Sequence, residues 1–287
     1  MNKYEAFSDD SVSVVIPTYN EEKFIKDCIL SLKGQNIPVE IVAVDDGSTD
    51  QTATICEALG VKVIRQNHKG PGAARNLGAR NAKGNILVLI DADMTFAADY
   101  VSRLVAPIIR GETIATCHWN EMVLNWENPW ARCQTWFTGN PDRRRQPFKI
   151  PENENVYRAV RKDFFLNSGG FAEDEGRGDD SSIARRTGVY SILVPDATCF
   201  HRNPDNLKEV FRDALWRGRN IAVVPENRLK KCFLSVLIHN NLLLGILRGV
   251  RLSIVKKEPR LVIYGVIHSI GLNLGAIHGL ITGYYQK

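Results

Sequence analysis

Short apolar runs alternate with helix-like segments over the first 110 residues, and this alternation constrains the fold more than any other feature. The apolar runs predict strands near Ser13–Ile16, Glu40–Val44, Lys62–Ile64 and Ile86–Ile90. The intervening segments predict helices around Glu22–Leu32, Gln51–Leu59 and Gly72–Asn81. Strands that alternate with helices in this way predict an α/β fold with a mostly parallel sheet and helices on both faces.

Polar clusters follow three of the four predicted strands. "PTYNE" follows the first strand, "DDGSTD" the second and "DAD" the fourth. In open parallel sheets, ligands bind beyond the carboxyl ends of the strands, at the switch point in strand order. We therefore expect the three clusters to contribute to one ligand site.

Two carboxylates, Asp91 and Asp93, end the apolar run in "LVLIDADMTF". Alternate residues of an extended segment point to the same side, about 6.5 Å apart. Two carboxylates on one side can share a divalent cation, and hard oxygen ligands favour Mg²⁺ or Mn²⁺ over zinc. A helix N-cap beside a turn aspartate is the structural alternative. The D-x-D pattern alone is too common to decide between them.

The segments "VDDGSTD" and "HKGPGAARN" each combine a turn with the start of a helix. Gly47 allows a positive φ, and the residues after it can cap a helix. This structural interpretation does not explain why both Asp45 and Asp46 stand at the strand end. A carboxylate at that strand end could accept hydrogen bonds from a nucleobase. The second segment could bring Lys69 and Arg75 to a phosphate, although a simple turn accounts for it equally well.

The six cysteines have no C-x-x-C spacing, and the amino terminus has no apolar h-region. These features predict reduced thiols in a cytosolic setting, without a disulfide framework, a zinc cluster or a secretory signal.

From Ala115 to Glu154 the sequence is rich in tryptophan and contains "PDRRRQPF". That stretch predicts either a lid or acceptor-binding insert, or core tryptophans beside a solvated basic face.

The carboxyl-terminal part is both basic and apolar. Between His201 and Arg260, 13 Lys or Arg stand against 5 Asp or Glu, and Leu261–Tyr285 has no charged residue. About 20 apolar residues suffice to cross a bilayer, and basic residues beside apolar segments suit an anionic membrane better than nucleic acid. Cys232–Leu247 predicts a helix on the membrane surface or a re-entrant hairpin. A buried soluble helical pair is the alternative.

Glycine recurs every four residues at Gly271, Gly275, Gly279 and Gly283. In a helix these residues form a stripe that allows close backbone contact with another helix.

Four segments in order give the chain a family resemblance: "VSVVIPTYNEEKFIKDCILSL", "EIVAVDDGSTDQT", "GPGAARNLGARNAKGNILVLIDAD" and "NSGGFAEDEGRGDDSSIARR". Together they resemble family 2 glycosyltransferases of the GT-A fold, over roughly Val12 to His201. The resemblance implies a GT-A, Rossmann-like sheet flanked by helices, a nucleotide-sugar donor, a divalent cation (Mn²⁺ or Mg²⁺) and inversion at the anomeric carbon.

The resemblance also implies roles for individual residues. Tyr19 would lie near the base, Asp46 would bind it, and Asp180 would be the acceptor-activating base, in an Asp179-Asp180 pair that replaces the family's E-D. Asp93 would be the direct metal ligand, with Asp91 and His201 as further candidates. "LWRGRN" matches the family's Q-x-x-R-W poorly, which weighs against a processive polysaccharide synthase. The donor-binding candidates are Pro17, Tyr19, Glu21, Asp46, Arg75, Asp91, Asp179, Arg217 and Arg219.

These inferences combine into one hypothesis. Residues 1–225 would form the catalytic domain and residues 226–287 a membrane-associated helical region with apolar helices, at the cytoplasmic face of the cell membrane. The enzyme would move a sugar from a UDP- or GDP-linked donor to a lipid-linked or glycolipid acceptor, with no nucleic-acid partner. A sugar nucleotidyltransferase and a non-catalytic nucleotide-binding membrane partner are the alternatives.

Overall fold

The computed structural model describes residues 10–173, 180–221 and 242–282. Asp179, residues 283–285 of Leu261–Tyr285 and residues 232–241 of Cys232–Leu247 lie outside these ranges. The predictions that concern them, including the one for Gly283, stay untested. The chain forms two compact units. Besides the terminal Lys287, the first comprises Met1–Met122 and Lys149–His201, and the second comprises Val123–Phe148 and Arg202–Gln286.

The first unit is built on an eight-stranded sheet of order β3-β2-β1-β4-β7-β6-β8-β5. Its strands are β1 (Val12–Thr18), β2 (Glu40–Asp45), β3 (Lys62–Arg65), β4 (Ile86–Leu89), β5 (Met94–Phe96), β6 (Ala115–Val123), β7 (Ala159–Arg161) and β8 (Ile192–His201). All four predicted strands are confirmed, as β1 to β4.

The sheet is mixed, whereas the sequence predicted a mostly parallel one. The pairs β1–β2, β1–β4 and β2–β3 are parallel, and the pairs β4–β7, β6–β7 and β5–β8 are antiparallel. Each antiparallel pair contains at least one strand that follows β4 in the chain, beyond the alternating segments of the first 110 residues or at their end. The α/β fold class itself is confirmed.

Helices cover both faces of the sheet, as predicted. They are α1 (Ile25–Lys33), α2 (Thr52–Ala58), α3 (Pro71–Asn81), α4 (Tyr100–Ile109), α6 (Lys162–Asn167) and α7 (Ser182–Thr187). Successive side chains of a strand point to opposite faces. Val14 therefore packs in one apolar cluster with α1 and α4, whereas Val15 packs in another with α3 and α7. A Cβ on Gly78 would lie 2.3 Å from Val15 Cγ1, so glycine allows α3 to pack closely on β1.

The second unit contains α5 (Pro129–Thr138), α8 (Leu207–Ile221), α9 (Leu242–Lys256) and α10 (Arg260–Thr282). α5, α8 and α9 all contact α10, which explains why this unit takes in Val123–Phe148 and begins again at Arg202. The predicted boundary near residue 225 falls beyond α8 and stays a prediction. The stretch Ala115–Glu154 is more regular than a loop, since it supplies β6 and α5.

The glycine stripe lies against α8, as the sequence predicted for a close helix partner. A Cβ on Gly271 would lie 2.9 Å from Phe211 O, and one on Gly275 would lie 2.1 Å from Leu215 O. The segment Arg260–Gly279 is long and apolar enough to cross a membrane by length and composition, and 44% of its most apolar window is buried within the protein.

Candidate active site

A pocket of about 260 Å³ opens at the carboxyl ends of β1, β2 and β4 and the amino end of α3. It joins the three polar clusters that the sequence assigned to one site. Its lining consists of Pro17, Thr18, Tyr19, Glu21, Asp46, His68, Pro71, Arg75, Asp91, Ala92 and Asp93. Six predicted donor-binding residues and the predicted metal ligand Asp93 therefore share this pocket.

Tyr19 and His68 form an aromatic stack at one end of the pocket. Their ring centroids lie 4.1 Å apart, with 26° between the ring planes. Tyr19 is 42% exposed, so its ring is open to solvent as well as to His68. The stack gives the pocket a flat apolar surface of the kind that binds a nucleobase.

Asp46 is buried and organises the turn that precedes α3. Its Oδ1 accepts hydrogen bonds from Gln66 Nε2 (2.6 Å) and the Lys69 backbone N–H (2.8 Å). Its Oδ2 accepts one from the Gly70 backbone N–H (2.7 Å) and lies 2.9 Å from His68 Nδ1. A carboxylate has about four acceptor positions, and this one already has four nitrogen neighbours. Asp46 therefore fixes the position of His68 and the turn.

Asp91 lies between two arginines. Arg75 Nη2 donates to Asp91 Oδ1 at 2.6 Å, and Arg158 Nη1 donates to Asp91 Oδ2 at 3.2 Å. Burial alone would raise the pKa of Asp91, but Arg158 and Arg75 outweigh burial and hold this pKa well below its usual range. Asp91 is therefore ionised at physiological pH, with both of its oxygens engaged by protein cations.

Asp93 begins a chain of polar contacts that runs into the protein. His201 Nε2 lies 3.0 Å from Asp93 Oδ2, and His201 Nδ1 lies 2.6 Å from Glu121 Oε1. Glu121 is 8% exposed and its Oε2 lies 4.0 Å from His118 Nε2. Burial and the nearby Arg158 lower the pKa of His118 to about 3, so this imidazole is neutral. Tyr100 Oη and His118 Nδ1, 2.8 Å apart, end the chain.

Glu21 is one of four acidic side chains that line the pocket, with Asp46, Asp91 and Asp93. Burial, reinforced by the negative charges of Asp93 and Asp91, raises the pKa of Glu21 to about 8. Its backbone N–H donates to Thr52 Oγ1 at 2.7 Å, which anchors the turn after β1 to the start of α2. Glu21 is therefore protonated at neutral pH while Asp91 is ionised.

Asp180, Arg217 and Arg219 were also predicted as site residues, but they do not line this pocket. Asp180 lies two residues before α7, and its charge is among the causes that raise the pKa of Arg158. Asp179 lies outside the described residues. Arg217 and Arg219 lie on α8 in the second unit, where Arg217 Nε pairs with Asp213 Oδ2 at 2.9 Å. Their donor contacts stay predictions.

The sequence pattern did not identify Arg158, Glu121 or His68 as site residues. Arg158 and Glu121 lie next to or on antiparallel strands whose order in the sheet the sequence pattern did not reveal. His68 stands in the quoted "HKGPGAARN" segment, next to residues that were singled out for a phosphate. Among the described residues, no group of three or more His, Cys, Asp or Glu side chains is arranged to hold a metal ion.

Comparison with known proteins gives a family match over more than half of the chain. The model described as Glycosyl transferase family 2 matches residues 13–167. The poly(ribitol-phosphate) beta-N-acetylglucosaminyltransferase TarS of Staphylococcus aureus is 39% identical over 100 residues, 32% of this chain and 17% of TarS. A dolichol-phosphate mannosyltransferase of Pyrococcus furiosus is 36% identical over 111 residues, 36% of this chain and 32% of that protein. The matched segment thus spans less than a third of each relative.

Solved structures with the same fold cover nearly the whole chain. The mannosyltransferase PcManGT from Pyrobaculum calidifontis, in complex with GDP-Man and Mn²⁺, aligns with a TM-score of 0.59 and 20% identity over 94% of this chain and 86% of its own. S. aureus TarS 1-349 in complex with UDP aligns with a TM-score of 0.53 and 17% identity over 96% and 93% of the two chains. At these identities the alignments establish the fold.

Proposed function

The chain belongs to glycosyl transferase family 2, and from this premise we propose that it transfers a sugar from a UDP- or GDP-linked donor, with inversion and with the help of Mn²⁺ or Mg²⁺. The observation that carries the proposal is the shared pocket. Its lining contains an aromatic stack suited to a base and Arg75, which is suited to a diphosphate. It also contains Asp93, whose carboxylate pairs with the His201 imidazole in an arrangement suited to a metal.

The residues present fit a divalent cation. Metal–ligand bonds of about 2.1 Å at right angles place neighbouring donor atoms about 3.0 Å apart, and His201 Nε2 lies 3.0 Å from Asp93 Oδ2. The contact between Glu121 Oε1 and His201 Nδ1 fixes the His201 ring so that Nε2 faces Asp93. Histidine ligands in metal sites are commonly oriented by such a hydrogen bond on their other ring nitrogen. Mg²⁺ and Mn²⁺ complete their coordination with substrate phosphates, so two protein ligands suffice. When bound, the cation would neutralise charge on the departing diphosphate.

Arg75 and Arg158 are proposed to contact the donor, and Asp91 is proposed to hold both arginines in place. Both arginines are largely buried, with side-chain exposures of 9% and 17%, and both contact the ionised Asp91 carboxylate. A buried guanidinium held by a carboxylate has little freedom, so its remaining N–H groups are presented in a fixed geometry. That geometry suits hydrogen bonds to donor oxygens.

Asp180 is proposed to remove the proton from a hydroxyl acceptor as it attacks the anomeric carbon. The attack builds oxocarbenium character at that carbon, and an alcohol nucleophile must lose its proton in the same step. The charge of Asp180 contributes to the raised pKa of Arg158, whose guanidinium contacts Asp91, and this supports Asp180 as the base candidate. An ionised phosphate acceptor would need no such base.

The acceptor is proposed to be lipid-linked or a glycolipid, at the cytoplasmic face of a membrane. The support is the basic excess between His201 and Arg260 and a relative named for dolichol phosphate. Because the name of TarS refers to poly(ribitol phosphate), a polymer is the alternative to a lipid-linked acceptor.

Calorimetric titration with UDP and GDP, each with Mn²⁺ and again with a chelator, tests the donor site. One nucleotide should bind tightly, and the chelator or Asp93→Ala should abolish that binding. Asp196→Ala, which removes an 80% exposed carboxylate, is the matched control and should bind as the wild type does. Folded protein that binds neither nucleotide would refute the proposal.

Turnover assays then test the base. Asp180→Asn should abolish transfer to a hydroxyl acceptor and leave nucleotide affinity intact. Unchanged turnover in this variant would refute the assignment of Asp180 and favour a phosphate acceptor.

A further inference from the structure

The apolar helix α10 is held lengthwise against α8. A Cβ on Gly275 would lie 2.1 Å from Leu215 O, and one on Gly279 would lie 2.6 Å from Arg219 O. Gly275 and Gly279 are four residues apart on α10, and their partners Leu215 and Arg219 are four residues apart on α8. The two helices therefore run side by side in the same direction. The backbones touch over several turns, so the two helices form one packed element.

This packing conflicts with a membrane-spanning α10. Its partner α8 carries Arg212, which is exposed, and the ion pair between Asp213 and Arg217. A spanning α10 would draw these charges into hydrocarbon, where charged side chains are costly. The apolar length of α10 is instead explained by burial against α5, α8 and α9.

The neighbouring helix α9 presents a continuous apolar face to solvent. Leu247, Val250 and Ile254, spaced three and four residues apart, lie on one side of the helix and are 55%, 40% and 74% exposed. The opposite side contains Gly249, which is buried, and a Cβ there would lie 2.6 Å from Leu261 O of α10. The apolar stripe of α9 therefore faces solvent, whereas the apolar side of a surface helix usually faces the protein interior.

Basic side chains flank this stripe. The segment 242–257 contains Arg248, Arg251, Lys256 and Lys257 and no acidic residue. All four are exposed, and Arg248 and Lys256 also lie over the Phe137 and Trp136 rings of α5. An apolar stripe beside positive charge complements a membrane whose surface carries anionic lipids.

We propose that the outward face of α9 docks the protein on an anionic membrane surface, and that α10 stays within the helical unit and does not cross the bilayer. Leu247, Val250 and Ile254 enter the interface, and Arg251 and Lys257 contact lipid headgroups. The proposal is independent of sugar transfer, because no residue of the pocket takes part in it.

Flotation of the full chain with vesicles tests the docking face. Wild type should float with vesicles of mixed phosphatidylcholine and phosphatidylglycerol, less at high salt, and little with phosphatidylcholine alone. Leu247→Glu combined with Ile254→Glu should lower partitioning at least about tenfold, because two apolar side chains are withdrawn from the interface. Leu30→Glu combined with Ile192→Glu, at positions 46% and 43% exposed in the first unit, is the matched control and should float as wild type does.

A second pair of measurements separates docking from spanning and from misfolding. Arg251→Gln with Lys257→Gln should remove the preference for anionic vesicles, and alkaline carbonate should release wild type from them. Nucleotide binding should be unchanged in all variants, which shows that the first unit is folded and that a failure of docking is not a failure of the donor site. Resistance to carbonate, or wild-type flotation of the Leu247 and Ile254 double variant, would overturn the proposal.

Discussion

Replacing Glu21 by glutamine should stabilise the metal-free protein at high pH and leave its stability at low pH nearly unchanged. The pKa of Glu21 is raised from an ordinary 4.5 to about 8, by burial and by the charges of Asp93 and Asp91. Glutamine has nearly the same shape and cannot ionise. The Glu21 backbone N–H, which donates to Thr52 Oγ1, is unaffected by the substitution.

The sign follows from proton binding in the two states. Below pH 4.5 the carboxyl is protonated whether the chain is folded or unfolded, so it contributes no pH dependence. Between pH 4.5 and about 8 the unfolded chain ionises while the folded chain keeps its proton, so wild type loses stability as the pH rises. A shift of about 3.5 units corresponds to at most about 5 kcal/mol. Because water reaches part of the pocket, we expect a measured difference of about 2 kcal/mol.

Urea unfolding in the presence of a chelator, at pH 5 and at pH 9, measures the difference directly. The two proteins should have similar free energies of unfolding at pH 5, and Glu21→Gln should be the more stable at pH 9. Glu22→Gln removes the adjacent exposed carboxylate and controls for the loss of one negative charge. Equal stabilities of Glu21→Gln and wild type at both pH values would show that Glu21 ionises freely in the folded protein, and the electrostatic account of the pocket would be wrong.

Three further substitutions test other parts of the structure. Gly275→Val should destabilise the protein by about 3 kcal/mol or more in urea unfolding, because its Cβ would lie 2.1 Å from Leu215 O and the helices must separate; Ile277→Val, at an exposed position of the same helix, is the control. Glu121→Gln should weaken Mn²⁺ binding about 10- to 100-fold in a titration followed by electron paramagnetic resonance, because the His201 ring loses its orienting partner; unchanged affinity would contradict the metal assignment. Asp46→Asn should lower the free energy of unfolding by about 1–3 kcal/mol, because an amide nitrogen would face the backbone donors of the turn; a variant as stable as wild type would refute the anchoring role.

The local parts of the fold were predictable from the sequence. Strands β1 to β4 and helices α1 to α3 each lie in a short contiguous segment, which the local order of apolar, turn and capping residues predicts. The polar residues that follow those strands converge because parallel strands end at the same edge of a sheet. Asp91, Asp93 and Arg75 could therefore be assigned to one site without knowledge of any long-range contact.

The less predictable residues depend on long-range strand pairing. Arg158 reaches Asp91 because β7 pairs antiparallel with β4, and no short-range pattern records that pairing. Glu121 reaches His201 across 80 residues of sequence. The glycine stripe was recognised as a helix contact, yet its partner α8 was not identified, because a small-residue stripe shows that a close neighbour exists and not which one it is.

The charges of the pocket explain why donor binding should depend on a metal. Arg75 and Arg158 are already engaged by the charge of Asp91, and Asp93 remains as a further carboxylate beside the diphosphate position, whereas Glu21 is protonated at neutral pH. Two unit charges about 4 Å apart interact by about 4 kcal/mol in a partly buried site, so an unscreened diphosphate would meet substantial repulsion. A nucleoside has no such charge and gains only base stacking. The chelator should therefore weaken UDP or GDP binding by at least about a hundredfold, and should leave binding of the matching nucleoside unchanged in the same calorimetric titration. If nucleoside and nucleotide respond equally, the metal must act on the shape of the pocket, and the electrostatic role of Asp93 and His201 is wrong.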